Sequence, residues 1–147
     1  MRAVVTRVRS ASVAIGGTET ARIGKGFLVL LGVHAYDTAA QAEKIADKLC
    51  GLRAFEEEAG KMNLNRAAAG GALLIVSQFT LYADCKSRRP GFTAAARPET
   101  AVPLYEQVMA LCRARGFEVQ HGQFGADMLV SSENDGPVTI ILDTDRL

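Results

Sequence analysis

The hydrophobic pattern of this chain changes its period, and that change restricts the fold more than any other feature. Most apolar segments alternate with polar residues or run continuously over a short stretch, as β-strands do. Two segments instead repeat their apolar residues at the spacing of an amphipathic helix. In a chain of 147 residues, this mixture predicts a single α/β domain over residues 1–147, in which the sheet dominates and the helices cover it.

The first third of the chain is predicted to form strands. Ala3–Val8 is β-branched and apolar, and Ser12–Ile23 contains two short alternating runs around Gly16 and Gly17. A Gly-Gly pair between such runs indicates a hairpin, since both residues tolerate positive φ. Gly26–Val33 is an almost continuous run of Phe, Leu and Val, which is typical of a strand buried on both faces.

Two segments are predicted to be helices. The first has its apolar stripe at Ala42, Ile45, Ala46 and Leu49. Thr38 and Gln41 have the spacing of a capping box at its start, and Gly51 is expected to end it in the left-handed conformation.

The second helix is expected over Ala101–Arg115, with Pro103 in its first turn and Gly116 as its stop. The remaining apolar segments are expected to be strands: Leu73–Tyr82, Phe117–His121, Met128–Ser131 and Val138–Leu142.

Charge and hydropathy exclude several classes of protein. There are 17 Lys and Arg residues against 16 Asp and Glu, a net charge of +1, whereas proteins that hold long nucleic-acid duplexes are normally more basic. Contact with a short piece of nucleic acid through a local patch remains open. The longest apolar runs are too short to cross a bilayer, and the N-terminus turns polar at Thr6 and Arg7. We therefore expect a cytoplasmic protein without a membrane partner.

The sequence predicts neither a metal site nor a cofactor. The cysteines, Cys50, Cys85 and Cys112, are scattered and form no C-x-x-C pair, and His34 and His121 stand apart from them and from each other. A zinc site needs about four clustered ligands. We expect three reduced thiols in a reducing compartment.

Two polar segments stand out from this scaffold. Ser77–Asp84 places polar side chains directly after a buried strand. They are either hydroxyls satisfied at a strand end, or a nucleophile and hydrogen-bond donors. Asn134–Thr139 is either a plain tight turn before the last strand or a segment whose Gly-Pro pair holds backbone carbonyls in fixed directions. A cis bond before the proline is one way to do this.

A nucleophilic Thr80 would need a base within hydrogen-bond reach, and neither histidine has an evident orienting carboxylate. The most concentrated basic patch is either a solvated loop or a contact for phosphates. It consists of Lys86, Arg88 and Arg89.

At its two polar segments the chain resembles the D-aminoacyl-tRNA deacylase family. Ser77-Gln78-Phe79-Thr80 matches the SQFT signature of that family, and Asn134–Thr139 matches its NxGPxT signature. Supporting matches cover nearly the whole chain: Arg7 with Ala11–Val13, Leu30–Val33, Gly60–Asn63, Arg88–Pro90 and Phe124–Met128.

The resemblance implies a homodimeric enzyme without a cofactor, whose mixed and mostly antiparallel sheet is barrel-like and covered by two main helices. It would hydrolyse the ester that joins a D-amino acid to tRNA, or glycine mischarged on a tRNA such as tRNA-Ala. Gly136 and Pro137 match the Gly-cisPro motif, which reaches into the active site of the partner subunit. A related subfamily with a trans Gly-Pro bond carries PQAT instead of SQFT, so Ser77 and Phe79 favour the cis type.

The resemblance also implies roles for single residues. Arg7 matches a residue that steadies the Gly-Pro motif, and Met128 matches one near the terminal adenine of the tRNA. The expected catalytic segment is Ser77, Gln78, Phe79 and Thr80, and the expected tRNA contacts are Lys86, Arg88 and Arg89. The expected substrate-binding and chirality-selecting residues are Arg7, Met128, Asn134, Gly136, Pro137 and Thr139.

In this family the 2′-hydroxyl of the terminal ribose is thought to assist hydrolysis, with Thr80 as a pocket residue. A carbonyl wall would reject L-amino acids, accept D-amino acids because their side chains point away, and accept glycine. Two other classes remain open. One is a binding dimer for an RNA end or a D-amino acid, and the other is a small-molecule esterase with Thr80 or a cysteine as nucleophile.

Overall fold

The centre of the fold is β1 (Arg2–Ile15), a strand that pairs along both of its edges. The computed structural model describes residues 1–56, 62–64 and 71–147. One edge pairs with β8 (Leu129–Asp143) over most of its length. The other edge pairs with β2 (Thr18–Ile23) beyond the middle of β1 and with β3 (Gly26–Gly32) before it. All three pairings are antiparallel, so β1 holds three other strands in place.

The sheet continues from β3 through two parallel strands. β6 (Ala72–Ser77) pairs with β3, and β7 (Glu118–His121) pairs with β6, so the main sheet is mixed and has six strands. Parallel neighbours need long crossovers. The remaining elements are α1 (Ala39–Gly51), β4 (Phe55–Glu56), β5 (Met62–Leu64), a 3₁₀ turn (Phe79–Tyr82), α2 (Pro98–Ala114) and a 3₁₀ turn (Thr144–Arg146). β4 and β5 form a separate two-stranded sheet.

The sheet separates two buried clusters, which explains why its central strands are apolar on both faces. Leu73 and Ile75 of β6 belong to the cluster beneath the two helices. Leu74 and Val76 alternate with them and pack in the second cluster, together with Ile23 of β2. Strands as far apart as β2 and β6 therefore share one core, as the near-closed, barrel-like sheet covered by two helices requires.

Several local predictions are confirmed. The Gly16–Gly17 hairpin has φ values of 58° and 80°. The capping box of α1 is formed, with Thr38 accepting from the Ala40 amide and Gln41 accepting from the Thr38 amide. Each of these motifs depends only on residues that are neighbours along the chain, so the sequence alone is enough to predict it.

The end of α1 differs from the prediction. Gly51 lies inside the helix and does not adopt positive φ, and the chain leaves through Leu52 in an extended conformation. The Leu52 amide still bonds the Leu49 carbonyl, at 3.4 Å, so no left-handed residue is needed.

The boundaries of α2 are partly as predicted. The helix begins three residues earlier than expected, with Pro98 at its first position, so Pro103 lies in the helix interior rather than in the first turn. An N1 proline lacks only a donor that would be unpaired anyway. Gly116 ends the helix as predicted, with φ of 86°, and the Phe117 amide bonds the Cys112 carbonyl at 3.2 Å.

Two strand predictions are wrong in an informative way. The strand expected over Leu73–Tyr82 ends at Ser77, and Phe79–Tyr82 is a 3₁₀ turn. The strands Met128–Ser131 and Val138–Leu142, with a tight turn between them, are instead parts of β8. Thr6 pairs with Thr139 and Val8 with Asn134, so residues 135–138 lie opposite Arg7 alone. We call residues 135–138 the β8 excursion.

Cys50 and Cys112 are buried free thiols whose Sγ atoms lie 3.6 Å apart.

Among the described residues, no helix combines the length and the apolar character that a bilayer crossing requires. Gly60 and Lys61, part of one supporting motif, lie outside the described residues.

Close approach of β3 and β6 makes Gly26 a sharp test of this fold. A Cβ atom at Gly26 would lie 1.8 Å from the Ala72 carbonyl oxygen, a backbone atom that cannot move without breaking the parallel pairing. Gly26→Ala should lower the free energy of unfolding by about 3 kcal/mol or more. Gly24→Ala is the control, because nothing lies within 4 Å of its new Cβ. Equal urea midpoints for the two variants would contradict the β3–β6 register.

Candidate active site

A cavity of about 250 Å³, which we call the first cavity, opens where β6 ends. Its lining combines the end of β6, the segment after β7 and the start of β8: Val76, Ser77, Gln78, Phe79, Phe124, Gly125, Ala126, Met128 and Val130. Four of the sequence-predicted site residues, namely Ser77, Gln78, Phe79 and Met128, are therefore brought together in one place.

One wall of the first cavity is held by a change of backbone direction after β6. The Gln78 amide donates to the Leu31 carbonyl at 2.8 Å, which anchors the turn to β3. The Gln78 side-chain amide donates to the Thr80 hydroxyl. Phe79 remains 53% exposed and packs edge-on against Phe92, with ring centroids 5.0 Å apart. A large apolar ring is thus presented to solvent at the mouth of the cavity.

The opposite wall depends on a glycine. The Gly122 amide donates to the Ile75 carbonyl at 3.2 Å, which ties the segment after β7 to β6. A Cβ at Gly122 would lie 2.5 Å from the Met128 sulfur, so only glycine lets Met128 occupy its position. Gly125, with φ of 77°, then turns the chain so that Phe124 and Met128 both line the cavity.

The first turn of the 3₁₀ segment offers backbone donors. Its earliest internal bond runs from the Leu81 amide to the Gln78 carbonyl at 3.3 Å. The amides of Phe79 and Thr80 precede that bond, and they have no acceptor among the described residues. Two N–H groups beside a cavity can bind an oxyanion.

Arg7 and the β8 excursion form a separate cluster. The Arg7 side chain is buried, and its Nε donates to the Asp135 carbonyl at 3.1 Å while Nη1 donates to the Ala54 carbonyl at 2.9 Å. The Gly136–Pro137 peptide bond is cis. Gly136 has φ of 122°, and a Cβ there would lie 2.9 Å from Arg7 Nη2. Residue 136 must therefore be glycine while Arg7 keeps this position.

The two signature segments do not meet within one chain. None of the residues 134–139 lines the first cavity. Asn134 accepts a hydrogen bond from Ser132 at 2.9 Å, and Thr139 pairs with Thr6 in the sheet. Both are therefore occupied by local structure on β8.

Thr80 lacks a recognisable base. His34 Nδ1 accepts from the Tyr36 amide at 3.1 Å, and its ring packs against Tyr82. His121 Nδ1 lies 2.6 Å from the Gly122 carbonyl oxygen. Within the described part of the chain, the hydroxyl of Thr80 is bonded to Gln78 and to neither histidine. An activated threonine nucleophile therefore has no support here.

The basic patch forms a closed loop. Asp84 and Gly91 exchange two backbone hydrogen bonds, of 2.7 Å and 2.9 Å, which bring the loop ends together. Lys86, Arg88 and Arg89 are all exposed on it. Lys86 and Arg89 also line a cavity of about 210 Å³ together with Asp84, Ser87, Gly91 and Thr93. Cations and hydroxyls around a concave surface suit phosphate oxygens.

Phe124 lines the cavity although the sequence marks it only as part of a supporting match, Phe124–Met128, with no site role. Gly122 and Gly125 lie on either side of Phe124, directly after a predicted strand. Glycines at such positions indicate a backbone that closely approaches its neighbours.

Comparison with known proteins agrees with the two signatures. Residues 4–143 match the family described as D-Tyr-tRNA(Tyr) deacylase. The chain belongs to this family. The predicted resemblance is thereby confirmed.

The relatives of this chain match it over almost their whole length. The D-aminoacyl-tRNA deacylase of Anaeromyxobacter dehalogenans (strain 2CP-C) is 55% identical, over 100% of this chain and 99% of its own. That of Thermus aquaticus is 53% identical, over 98% and 95%.

Two solved structures share the fold. The c-Myc DNA Unwinding Element Binding Protein has a TM-score of 0.93 at 39% identity, over 98% of this chain and 99% of that one. A probable eukaryotic D-amino acid tRNA deacylase has a TM-score of 0.82 at 17% identity, over 96% and 97%, and shows the fold alone.

The contacts of Arg7 predict a clear difference from its neighbour Arg9. Arg7→Gln should lower the free energy of unfolding by about 3 kcal/mol, because a shorter neutral side chain leaves the carbonyls of Ala54 and Asp135 without their charged donor. Arg9 lies 3.6 Å from the Asp135 carboxylate, but its side chain is 77% exposed. Arg9→Gln should therefore cost no more than about 0.5 kcal/mol. Equal losses of unfolding free energy for the two variants, measured in urea, would show that the Arg7 hydrogen bonds do not stabilise the fold.

Proposed function

We propose that this protein hydrolyses the ester bond between a D-amino acid, or glycine, and the 3′ end of a tRNA, releasing the free amino acid and the tRNA. Membership of the D-Tyr-tRNA(Tyr) deacylase family supports the reaction class. The observation that carries the assignment of the site is the first cavity, where Ser77, Gln78 and Phe79 meet Phe124 and Met128. The reaction belongs in the cytoplasm, where charged tRNA is used.

The terminal adenosine of the tRNA fits the first cavity chemically. Single-stranded RNA ends are bound by stacking their bases on aromatic side chains. Phe79 and Phe124 provide two rings, and the Met128 thioether provides a polarisable contact between them. The ester carbon, one ribose away from the base, would then lie near the amides of Phe79 and Thr80.

Completion of the site by a second subunit explains why the two signatures lie apart. In a homodimer, the β8 excursion of one subunit would enter the first cavity of the other. The free edge of β8 supports such an interface, because β8 pairs only with β1 among the described strands. Leu129 and Ile141 on this strand are 70% and 67% exposed, which is unusual for large apolar residues on an edge strand.

Selection for D-amino acids would follow from the carbonyls of the β8 excursion. Arg7 holds the Asp135 carbonyl in a fixed position, and Gly136 allows the close approach of that backbone. Rigid carbonyls accept hydrogen bonds from the α-ammonium group of the substrate and occupy the direction of an L side chain. A D side chain points away from such a wall, and glycine has no side chain to exclude. One wall therefore serves many D-amino acids.

Catalysis would depend on the substrate rather than on a protein nucleophile. Water adds to the ester carbonyl, and the tetrahedral intermediate collapses when the C–O bond to the 3′-oxygen breaks and that oxygen takes a proton. The neighbouring 2′-hydroxyl assists proton transfer, since no base among the described residues contacts Thr80. The Phe79 and Thr80 amides stabilise the oxyanion.

Binding of the tRNA would rest on the basic loop. With a net charge of +1, the protein attracts RNA only where cations are concentrated. Lys86, Arg88 and Arg89 share one exposed loop and are the contacts that we assign to tRNA phosphates.

The decisive test is hydrolysis of matched D-aminoacyl-, L-aminoacyl- and glycyl-tRNA, each with an intact or a 2′-deoxy terminal adenosine. We expect cleavage of the D and glycyl esters and not of the L ester, and a loss of at least about a hundredfold with the 2′-deoxy end. Thr80→Ala should retain most activity.

The other outcomes separate the alternatives. Binding without turnover would indicate a binding dimer, and turnover of simple esters without RNA would indicate a small-molecule esterase. Full activity on the 2′-deoxy substrate, with a collapse of kcat in Thr80→Ala, would make Thr80 the nucleophile. Equal cleavage of L and D esters would refute the carbonyl wall.

The dimer is tested by mass and by chiral selectivity together. Sedimentation should give twice the 15.7 kDa of one chain. Arg7→Gln, assayed at a temperature where it is folded, should lower the D over L preference by about tenfold, while Arg9→Gln keeps it. A monomer that retains full selectivity would rule out a motif supplied by a partner.

A further inference from the structure

A second cavity, of about 340 Å³, lies beside the first and has no role in the reaction described above. Its floor is apolar, with Tyr105 and Met109 of α2 buried beneath it. Its rim is polar and exposed, with Glu106, His121 and Gln123 around the opening. An apolar floor with a few polar groups at the rim is the usual form of a site for a flat organic group.

The two cavities share a wall. Phe124 lines both of them. Gly122 lines the second cavity, and Met128, which lines the first, lies against Gly122. The two cavities are therefore separated by a single aromatic ring.

The polar groups of the second cavity differ in whether they are already hydrogen-bonded within the protein. The Tyr105 hydroxyl already donates to the Ile75 carbonyl at 2.7 Å, and burial raises its pKa to about 12, so its proton is not available to a ligand. Glu106 is different, because its carboxylate has no hydrogen bond or ion pair with any described residue. An unpartnered carboxylate at the rim favours a ligand that presents N–H donors and disfavours a phosphate.

We propose that the second cavity binds the nucleotide that precedes the terminal adenosine, a cytidine, and that Glu106 accepts a hydrogen bond from its N4 amino group. This inference rests on the proposed function, which puts the terminal adenosine in the first cavity. All tRNAs end in the sequence CCA, so the preceding base is a cytosine, whose N4 amino group is the donor that a carboxylate reads. Phe124 lies between two successive bases, as aromatic residues do in proteins that bind single strands.

The test uses D-aminoacyl esters of adenosine and of two dinucleotides, CpA and UpA. The wild-type protein should show a KM about tenfold lower for CpA than for adenosine, whereas UpA should give little advantage because uracil has an acceptor in place of the amino group. Glu106→Met should bring the ratio of the KM values for adenosine and CpA close to one. Glu106→Gln should bring the KM for UpA towards that for CpA, since an amide can donate to uracil O4.

Glu99→Gln is the matched control, because Glu99 is an exposed carboxylate on the same helix and does not line the cavity. It should keep the full preference for CpA. Equal KM values for adenosine and CpA in the wild-type protein, or an unchanged preference in Glu106→Met, would overturn the proposal.

Calorimetric binding of the uncharged dinucleotides separates this inference from the proposed function. A preference for CpA over UpA that Glu106→Met removes supports the cytidine site even if no ester is cleaved, a result that would refute the proposed hydrolysis alone. Hydrolysis of D-aminoacyl-tRNA with no preference between CpA and UpA in either experiment would refute the cytidine site alone.

Discussion

The ladder between β1 and β8, with Arg7 in its one wide gap, is the constraint on which the rest of this structure depends. β1 holds β8 on one edge and β2 and β3 on the other, and β6 and β7 follow in the sheet through β3. Where the β8 excursion leaves the ladder, Arg7 replaces the missing backbone bonds with a bond to the Asp135 carbonyl. A second bond to Ala54 links the same guanidinium to the chain that follows α1. A buried cation is stable there because it donates to two backbone carbonyls and its Nε lies 3.9 Å from the Asp135 carboxylate.

The first cavity exists because short-range turns and long-range strand pairing act at the same point. β6 runs parallel to β3 and β7, and its end brings Ser77 close to the segment that follows β7. Bonds from Gln78 to Leu31 and from Gly122 to Ile75 fix the two walls. Phe79 is 53% exposed, whereas Phe124 packs partly against the core cluster, and both line the cavity. The cytidine site would extend the same surface along α2, so that one aromatic residue serves two bases.

Local signals in the sequence agree with the structure, whereas packing overrides them at several places. Thr38 and Gln41 form a capping box as expected, because that motif needs no partner outside its own turn. Gly51 is predicted to end α1 in the left-handed conformation, yet it lies inside the helix, and the chain leaves through an extended Leu52. Apolar residues up to Tyr82 are typical of one strand, but the Leu81 amide bonds the Gln78 carbonyl and closes a 3₁₀ turn there. On sequence alone Asn134–Thr139 is either a plain turn or a Gly-Pro segment that directs carbonyls. Only pairing with β1 shows that both sides continue the same ladder, with a cis Gly136–Pro137 bond in the excursion between them.

By itself, the sequence determined the α/β class, the two helices and the two signature segments, since periodicity and motif spacing are properties of neighbouring residues. It also determined the family, because both signatures occur in order within one chain. Tertiary structure alone decided that Phe124 and Met128 face Phe79, that Arg7 holds the β8 excursion, and that this excursion lies apart from the first cavity of its own chain. The reason is physical: these contacts join residues far apart along the chain, and their geometry is set by strand register and buried hydrogen bonds rather than by local preference.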